Sequence, residues 1–182
     1  IWLGRKRSTS RSASASSAAR SAARRATSLS RRPRRASVAS MRAAYTALPA
    51  DERRRLETLT TFNSLDSGRT DTRAEDEEKY GKPIQHPMVR THPVHGSRAV
   101  YFHISKATHI DGMTPEASRR YMSDLLDRMI QPEITYHHVW RKGDVLVIDN
   151  RATMHRAHGD YDRSQSRVLW RIIVEGDRPR GA

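Results

Sequence analysis

The stretch Gly143–Ile173, GDVLVIDNRATMHRAHGDYDRSQSRVLWRII, constrains the fold more than any other part of the chain. Short aliphatic runs are punctuated by Gly and Asp/Asn corners, which is the pattern of two or three barrel strands rather than of a helix. Val145–Ile148 reads as a short strand buried on both faces or nearly so. Asp149-Asn150-Arg151 reads as a corner of hydrogen-bonding residues, Ala152–Arg156 as short and extended, and Arg167–Val174 as the last long strand. Three residues in this stretch carry chemistry: His155, Arg167 and Arg171.

Arg167 and Arg171 are four apart, so on a strand they share a face, with Leu169 between them and Val168, Trp170 and Ile172 on the other. Two guanidinium groups on an inward face need an anion to meet them, and a dicarboxylate or an anionic substrate would do so by bidentate pairing. Spacing alone leaves the alternative open that this is an outer face with two solvated arginines. Most of the nine histidines are expected to be structural. His137 and His138 are adjacent in a strand and fall on opposite faces, so they cannot share one metal.

The remaining chain supports a mainly β domain with helical insertions, a sandwich or barrel. Thr114 caps a helix over 114–130, Pro115 sits at its first position, and Ala117, Tyr121, Met122, Leu125, Leu126, Met129 and Ile130 form its apolar stripe. MRAAYTAL and a segment from Pro49 to Leu59 read as two solvent-facing supporting helices. Residues 64–83 read as a polar loop or lid, with a plain surface linker as the alternative. Residues 98–103 and 134–140 read as strands.

Composition divides the chain in two. Residues 1–40 hold ten Arg, one Lys and no acid, so the +14 net charge leaves only +3 for the rest. The global charge is therefore no argument for a nucleic-acid-binding domain. The leader is Arg/Ser/Ala low complexity with few large apolar residues, and disorder is expected. It has three readings: a nucleic-acid-binding tail, a transit-peptide-like segment, or a GC-rich gene translated out of its native frame. The third is preferred, because the resemblance described next begins where the leader ends. Ile1 in place of an initiating Met is read as the mark of a fragment. With no Cys, any metal must use His, Asp or Glu. No apolar run is long enough for a membrane-spanning helix, and a cytoplasmic location is expected.

From Met41 to about Pro179 the sequence resembles the C-terminal part of the taurine dioxygenase/2,4-dichlorophenoxyacetate dioxygenase family, the TauD/TfdA type. The pieces that carry the resemblance are MRAAYTALP, HPMVRTHP, THIDGM, WRKGDVLVIDNRATMHRAHGDYD and the RVLWR strand followed by GDRP. The resemblance implies a double-stranded β-helix (jelly roll), incomplete here on its N-terminal side. It implies Fe(II) held by two His and one carboxylate, with 2-oxoglutarate and dioxygen as cosubstrates. By position in the motifs, His155 matches the distal iron ligand, Arg167 the arginine on the far carboxylate of 2-oxoglutarate, and Arg171 the arginine that receives an anionic substrate group. Lys106 stands where taurine-type members place an aromatic residue lining the substrate pocket. The expected substrate is a small anion such as a sulfonate or aryloxyalkanoate; a homo-oligomer is compatible with this reading. The family's upstream W-H-x-D and G-G-D-T segments find no match, and no His or Asp precedes Asp51. One of three iron ligands is thus expected, and impaired activity with it. His109-Ile110-Asp111 spells His-x-Asp but falls in a segment that is not the metal motif, and His158 and Asp160 read as loop residues. The alternative function is non-enzymatic: nucleic-acid binding through the basic leader on a degenerate oxygenase scaffold.

Overall fold

The computed structural model describes residues 34–64, 81–159, 168–174 and 176–182. Residues 1–33 of the leader, most of the 64–83 loop, Asp160 and Arg167 lie outside the described residues.

The described residues form a mixed structure, with small antiparallel sheets and three helices. In order they are β1 (Arg35–Ser40), α1 (Met41–Ala47), α2 (Ala50–Thr58), β2 (Thr60–Asn63), β3 (Ile84–Pro87), β4 (Val89–Thr91), β5 (Arg98–Val100), β6 (Ala107–Ile110), α3 (Pro115–Met129), a 3-10 turn (Pro132–Ile134), β7 (Thr135–Val139) and β8 (Thr153–Ala157). The sheets have the orders β7-β1-β8, β3-β2-β6 and β4-β5.

Strand β1 takes in the last six residues of the stretch read as leader. It is the central strand of its sheet, with Ser37 opposite His137 on β7 and Arg156 on β8, and Val38 opposite Tyr136 and His155. Its sequence, RASVAS, has little strand propensity of its own; neighbours on both edges impose the conformation. At its end Ser40 turns the chain into α1 and accepts a hydrogen bond from the Ala43 amide at 3.2 Å. A serine N-cap satisfies one of the amides that a first helical turn leaves without a partner.

Helices α1 and α2 are not solvent-facing supports. Met41, Ala44, Tyr45 and Leu56 are buried, because α1 packs across β5 and both helices contribute to the one core. Helix α3 follows its expected stripe: Met122, Leu125, Leu126 and Met129 are buried, and Thr114 caps it by accepting from the Ala117 amide. It is tied to β6 by the Ile110 amide, which donates to the buried Ser118 hydroxyl at 2.9 Å. It is tied to α2 by a bidentate Arg128–Glu52 pair.

Two expected strands do not form. Residues 144–149 and 168–174 are irregular. Val145 and Val147 are 86% and 90% exposed, and Trp170 and Ile172 are 93% and 91% exposed. A strand needs a hydrogen-bonded neighbour, and none of the described residues supplies one to either stretch. Residues 98–103 also form less strand than expected, only Arg98–Val100. No described helix is long and apolar enough to cross a membrane.

The contrast between core and bare segments is testable by urea unfolding. Leu125→Ala, at a fully buried site, is expected to cost about 2–5 kcal/mol. Trp170→Ala is expected to change stability by less than about 0.5 kcal/mol.

Candidate functional site

Alternation along β8 decides where His155 points. Met154 and Ala39 are buried in the core, and Ser37 is buried beside them. His155 and its cross-strand partner Val38 therefore occupy the opposite face, away from that core. His155 is half-buried. Burial is the main cause that lowers its pKa, and the positive charge of Arg171 adds to it.

A second imidazole belongs to the same neighbourhood. His103 heads the turn between β5 and β6, where its carbonyl accepts from the amides of Lys106 and Ala107 at 2.9 and 2.8 Å. Its Nδ1 lies 3.0 Å from the Ser105 hydroxyl. Burial is the leading cause that drops its pKa to about 4, with the charges of Lys106 and His155 acting in the same direction. The charges of Lys106 and His155 thus reach His103, and that of Arg171 reaches His155. Positive charge near the imidazoles favours a small anion and opposes an added cation. His103 was not read from the sequence; its position three residues before Lys106 was the available signal.

The corner that leads into β8 is built on a buried histidine. The His92 Nε2 lies 2.9 Å from Asp149 Oδ2, and its Nδ1 accepts from the Val94 amide at 3.3 Å. An imidazole that accepts at Nδ1 carries its proton on Nε2, so His92 donates to the carboxylate. Arg151 closes on Asp149 with its Nε and Nη2, both at 2.9 Å, and its amide. Arg151 first, then His92, hold the Asp149 carboxyl far below the usual carboxylate range. Asp149 also accepts at its carbonyl from the Thr153 hydroxyl at 2.6 Å, which fixes the start of β8 two residues before His155.

The other histidines fall elsewhere. His137 and His138 lie on opposite faces of β7: His137 reaches Ser37 Oγ at 2.8 Å, and His138 pairs with Asp144. His158 lies 2.6 Å from the same Ser37 hydroxyl. His109 stacks on Phe62 with centroids 4.6 Å apart, while Asp111 is exposed after the end of β6. Among the described residues no three His, Asp or Glu side chains converge where a metal ion could sit. A two-His-one-carboxylate iron site is therefore not complete in them: His155 has a guanidinium, not a carboxylate, as its charged neighbour. The Fe(II) that the resemblance implies does not fit these residues as a set.

His103 gives a pH test. It binds a proton at about pH 6.5 when unfolded but only near pH 4 when folded, so the unfolded state takes up more protons between those values. Stability is expected to fall as pH is lowered from about 6.5 to about 4. In His103→Asn, urea midpoints measured across that window should fall less steeply than in the parent chain.

Comparison with known proteins shows what the chain is similar to. The profile of the family described as "Taurine catabolism dioxygenase TauD, TfdA family" matches residues 36–173. The (S)-phenoxypropionate/alpha-ketoglutarate-dioxygenase of Sphingobium herbicidovorans is 35% identical over 150 residues, covering 76% of this chain and 51% of that protein. The alpha-ketoglutarate-dependent 2,4-dichlorophenoxyacetate dioxygenase of a Burkholderia species is 33% identical, covering 78% and 50%. The solved structure of AAD-2 with Mn(II) and N-oxalylglycine superposes with a TM-score of 0.64 at 35% identity, over 75% of this chain and 54% of that one. The chain thus spans about half the length of the curated relatives it matches. It belongs to the TauD/TfdA family of dioxygenases.

Proposed function

We propose that this chain supplies the distal-histidine half of a 2-oxoglutarate-dependent dioxygenase site on a jelly-roll scaffold. The observation that supports the reading is the placement of His155 on the non-core face of β8, where the positive charge of Arg171 reaches it. In the complete site His155 serves as one iron ligand, Arg167 pairs with the far carboxylate of 2-oxoglutarate, and Arg171 receives the anionic end of the substrate. Lys106, in the turn headed by His103, adds positive charge to the substrate side. The substrate class is a small organic anion of the aryloxyalkanoate or sulfonate type, consistent with the relatives named for phenoxypropionate and 2,4-dichlorophenoxyacetate. The reaction class is hydroxylation coupled to 2-oxoglutarate and dioxygen.

Among the described residues the half-site has positive charge and imidazoles but no convergent carboxylate. This chain alone is therefore expected to bind small carboxylates and to hold Fe(II) poorly. Addition of 2,4-dichlorophenoxyacetate or 2-oxoglutarate should shift the imidazole NMR signals of His103 and His155, and Arg171→Ala should weaken that binding at least about tenfold. Iron titration should show no stoichiometric site, and 2-oxoglutarate decarboxylation should stay at background. Imidazole signals unmoved by either anion would remove the half-site reading. Stoichiometric Fe(II) with turnover by the chain alone would contradict the incomplete metal set.

A further inference from the structure

Ser37 has no part in the half-site, yet two imidazoles converge on it. His137 Nδ1 lies 2.8 Å from its hydroxyl and His158 Nε2 lies 2.6 Å from the same oxygen. The three groups come from β7, β1 and the residue after β8, with His137 and His158 standing 100 and 121 residues from Ser37. The backbone holds each in place. Ser37 stands directly opposite His137 in the β1–β7 register, and the His158 amide donates to the Arg35 carbonyl at 3.1 Å. Ser37 is 4% exposed, whereas His137 is exposed, so the cluster is anchored in the fold and open on one side. Val38, not Ser37, stands opposite His155, so the cluster lies on the other face of the sheet from His155.

The protons of the cluster leave a ligand set nearly made. A hydroxyl has one proton, so between two neutral imidazoles it donates to one ring nitrogen and accepts from the N–H of the other. One facing nitrogen thus already directs its lone pair at the serine. The second does so once its ring carries the proton on its other nitrogen, a change of tautomer without net proton loss. We propose that Ser37, His137 and His158 form a Zn(II) site, with water in the fourth position, that clamps β1 to β7 and to the end of β8. Zinc–nitrogen bonds of about 2.0–2.1 Å place tetrahedral donors about 3.3 Å apart, so the ion enters when the hydroxyl withdraws by roughly half an ångström from each nitrogen. No third imidazole or carboxylate joins the cluster among the described residues. Neutral imidazole donors suit zinc, and they suit calcium, magnesium and ferrous iron less well. Arg156 stands opposite Ser37 on β8, so affinity rests on the nitrogen lone pairs and not on charge attraction. The proposal does not rest on the catalytic reading above.

Zinc titration of the full, chelator-treated chain tests it. Calorimetry should show one equivalent of Zn(II) bound, and the imidazole NMR signals of His137 and His158 should move while those of His103 and His155 stay in place. Zinc should also raise the thermal unfolding midpoint, because it binds the folded sheet and not the separated strands. The His137→Ala, His158→Ala double variant should lose both the uptake and the thermal shift. Ser37→Ala should weaken uptake at least about tenfold, the scale on which partners of metal-bound imidazoles act. Absence of stoichiometric uptake by the parent chain overturns the proposal and leaves a hydrogen-bonded network only. Uptake that persists in the double variant, or that moves the His155 signals in place of those of His137 and His158, overturns it as well. The NMR result on the parent chain decides the matter even where the double variant fails to fold.

Discussion

Strand β1 is hydrogen-bonded along both edges, to β7 on one side and to β8 on the other, and the orientation of His155 follows from that. Side-chain direction alternates along a strand, so a shift of one residue in the β1–β8 register would exchange His155 with Met154 between the open face and the core. Burial of Ala39 and Met154 on one face fixes the register. Further ties lock its ends: the Met41 amide donates to the Ala152 carbonyl at 2.9 Å, and the Trp140 amide to the Arg34 carbonyl at 2.9 Å. Removing β1 would leave β7 and β8 with no strand between them and the histidine with no defined face.

The corner before β8 works from the other direction. The Asp149 carboxylate meets the buried His92, 57 residues away in sequence, and the Arg151 side chain, while its main-chain carbonyl accepts from the Thr153 hydroxyl. Burial of His92 is tolerated because both ring nitrogens have partners. Asp149 and β1 together set the start and the register of a five-residue strand, which gives His155 a rigid support despite its open surroundings. Those surroundings carry positive charge from Arg171.

Local signals in the sequence were legible where local physics decides structure. The Thr114 cap, Pro115 and the apolar stripe of α3 are satisfied within one helix, and the helix appears with one residue or less of difference at each end. β7 and β8 lie within a residue of their expected limits. β1 was not legible, because Arg/Ser/Ala text looks unstructured until two neighbours supply its hydrogen bonds. The reverse error occurs at Val145–Ile148 and at 168–174, the described part of the last expected strand: strong strand propensity is visible in the residues, but a strand is a property of a pair. The buried faces of α1 and α2 were likewise set by long-range packing around Leu56 and Met41. Of the site residues, His155 and Arg171 were singled out by motif position, and the charge of Arg171 reaches His155. His103 and the His92–Asp149 link were not, because each depends on contacts between segments distant in sequence.

Amide hydrogen exchange on the chain by itself tests most directly the claim that β1 is the element on which the site is built. Slow exchange is predicted for the amides of Arg35–Ser40 and Thr153–Ala157, with unprotected amides at 145–148 and 168–174 under the same conditions. Fast exchange throughout 35–40, or protection of 168–174 equal to that of β8, would contradict it.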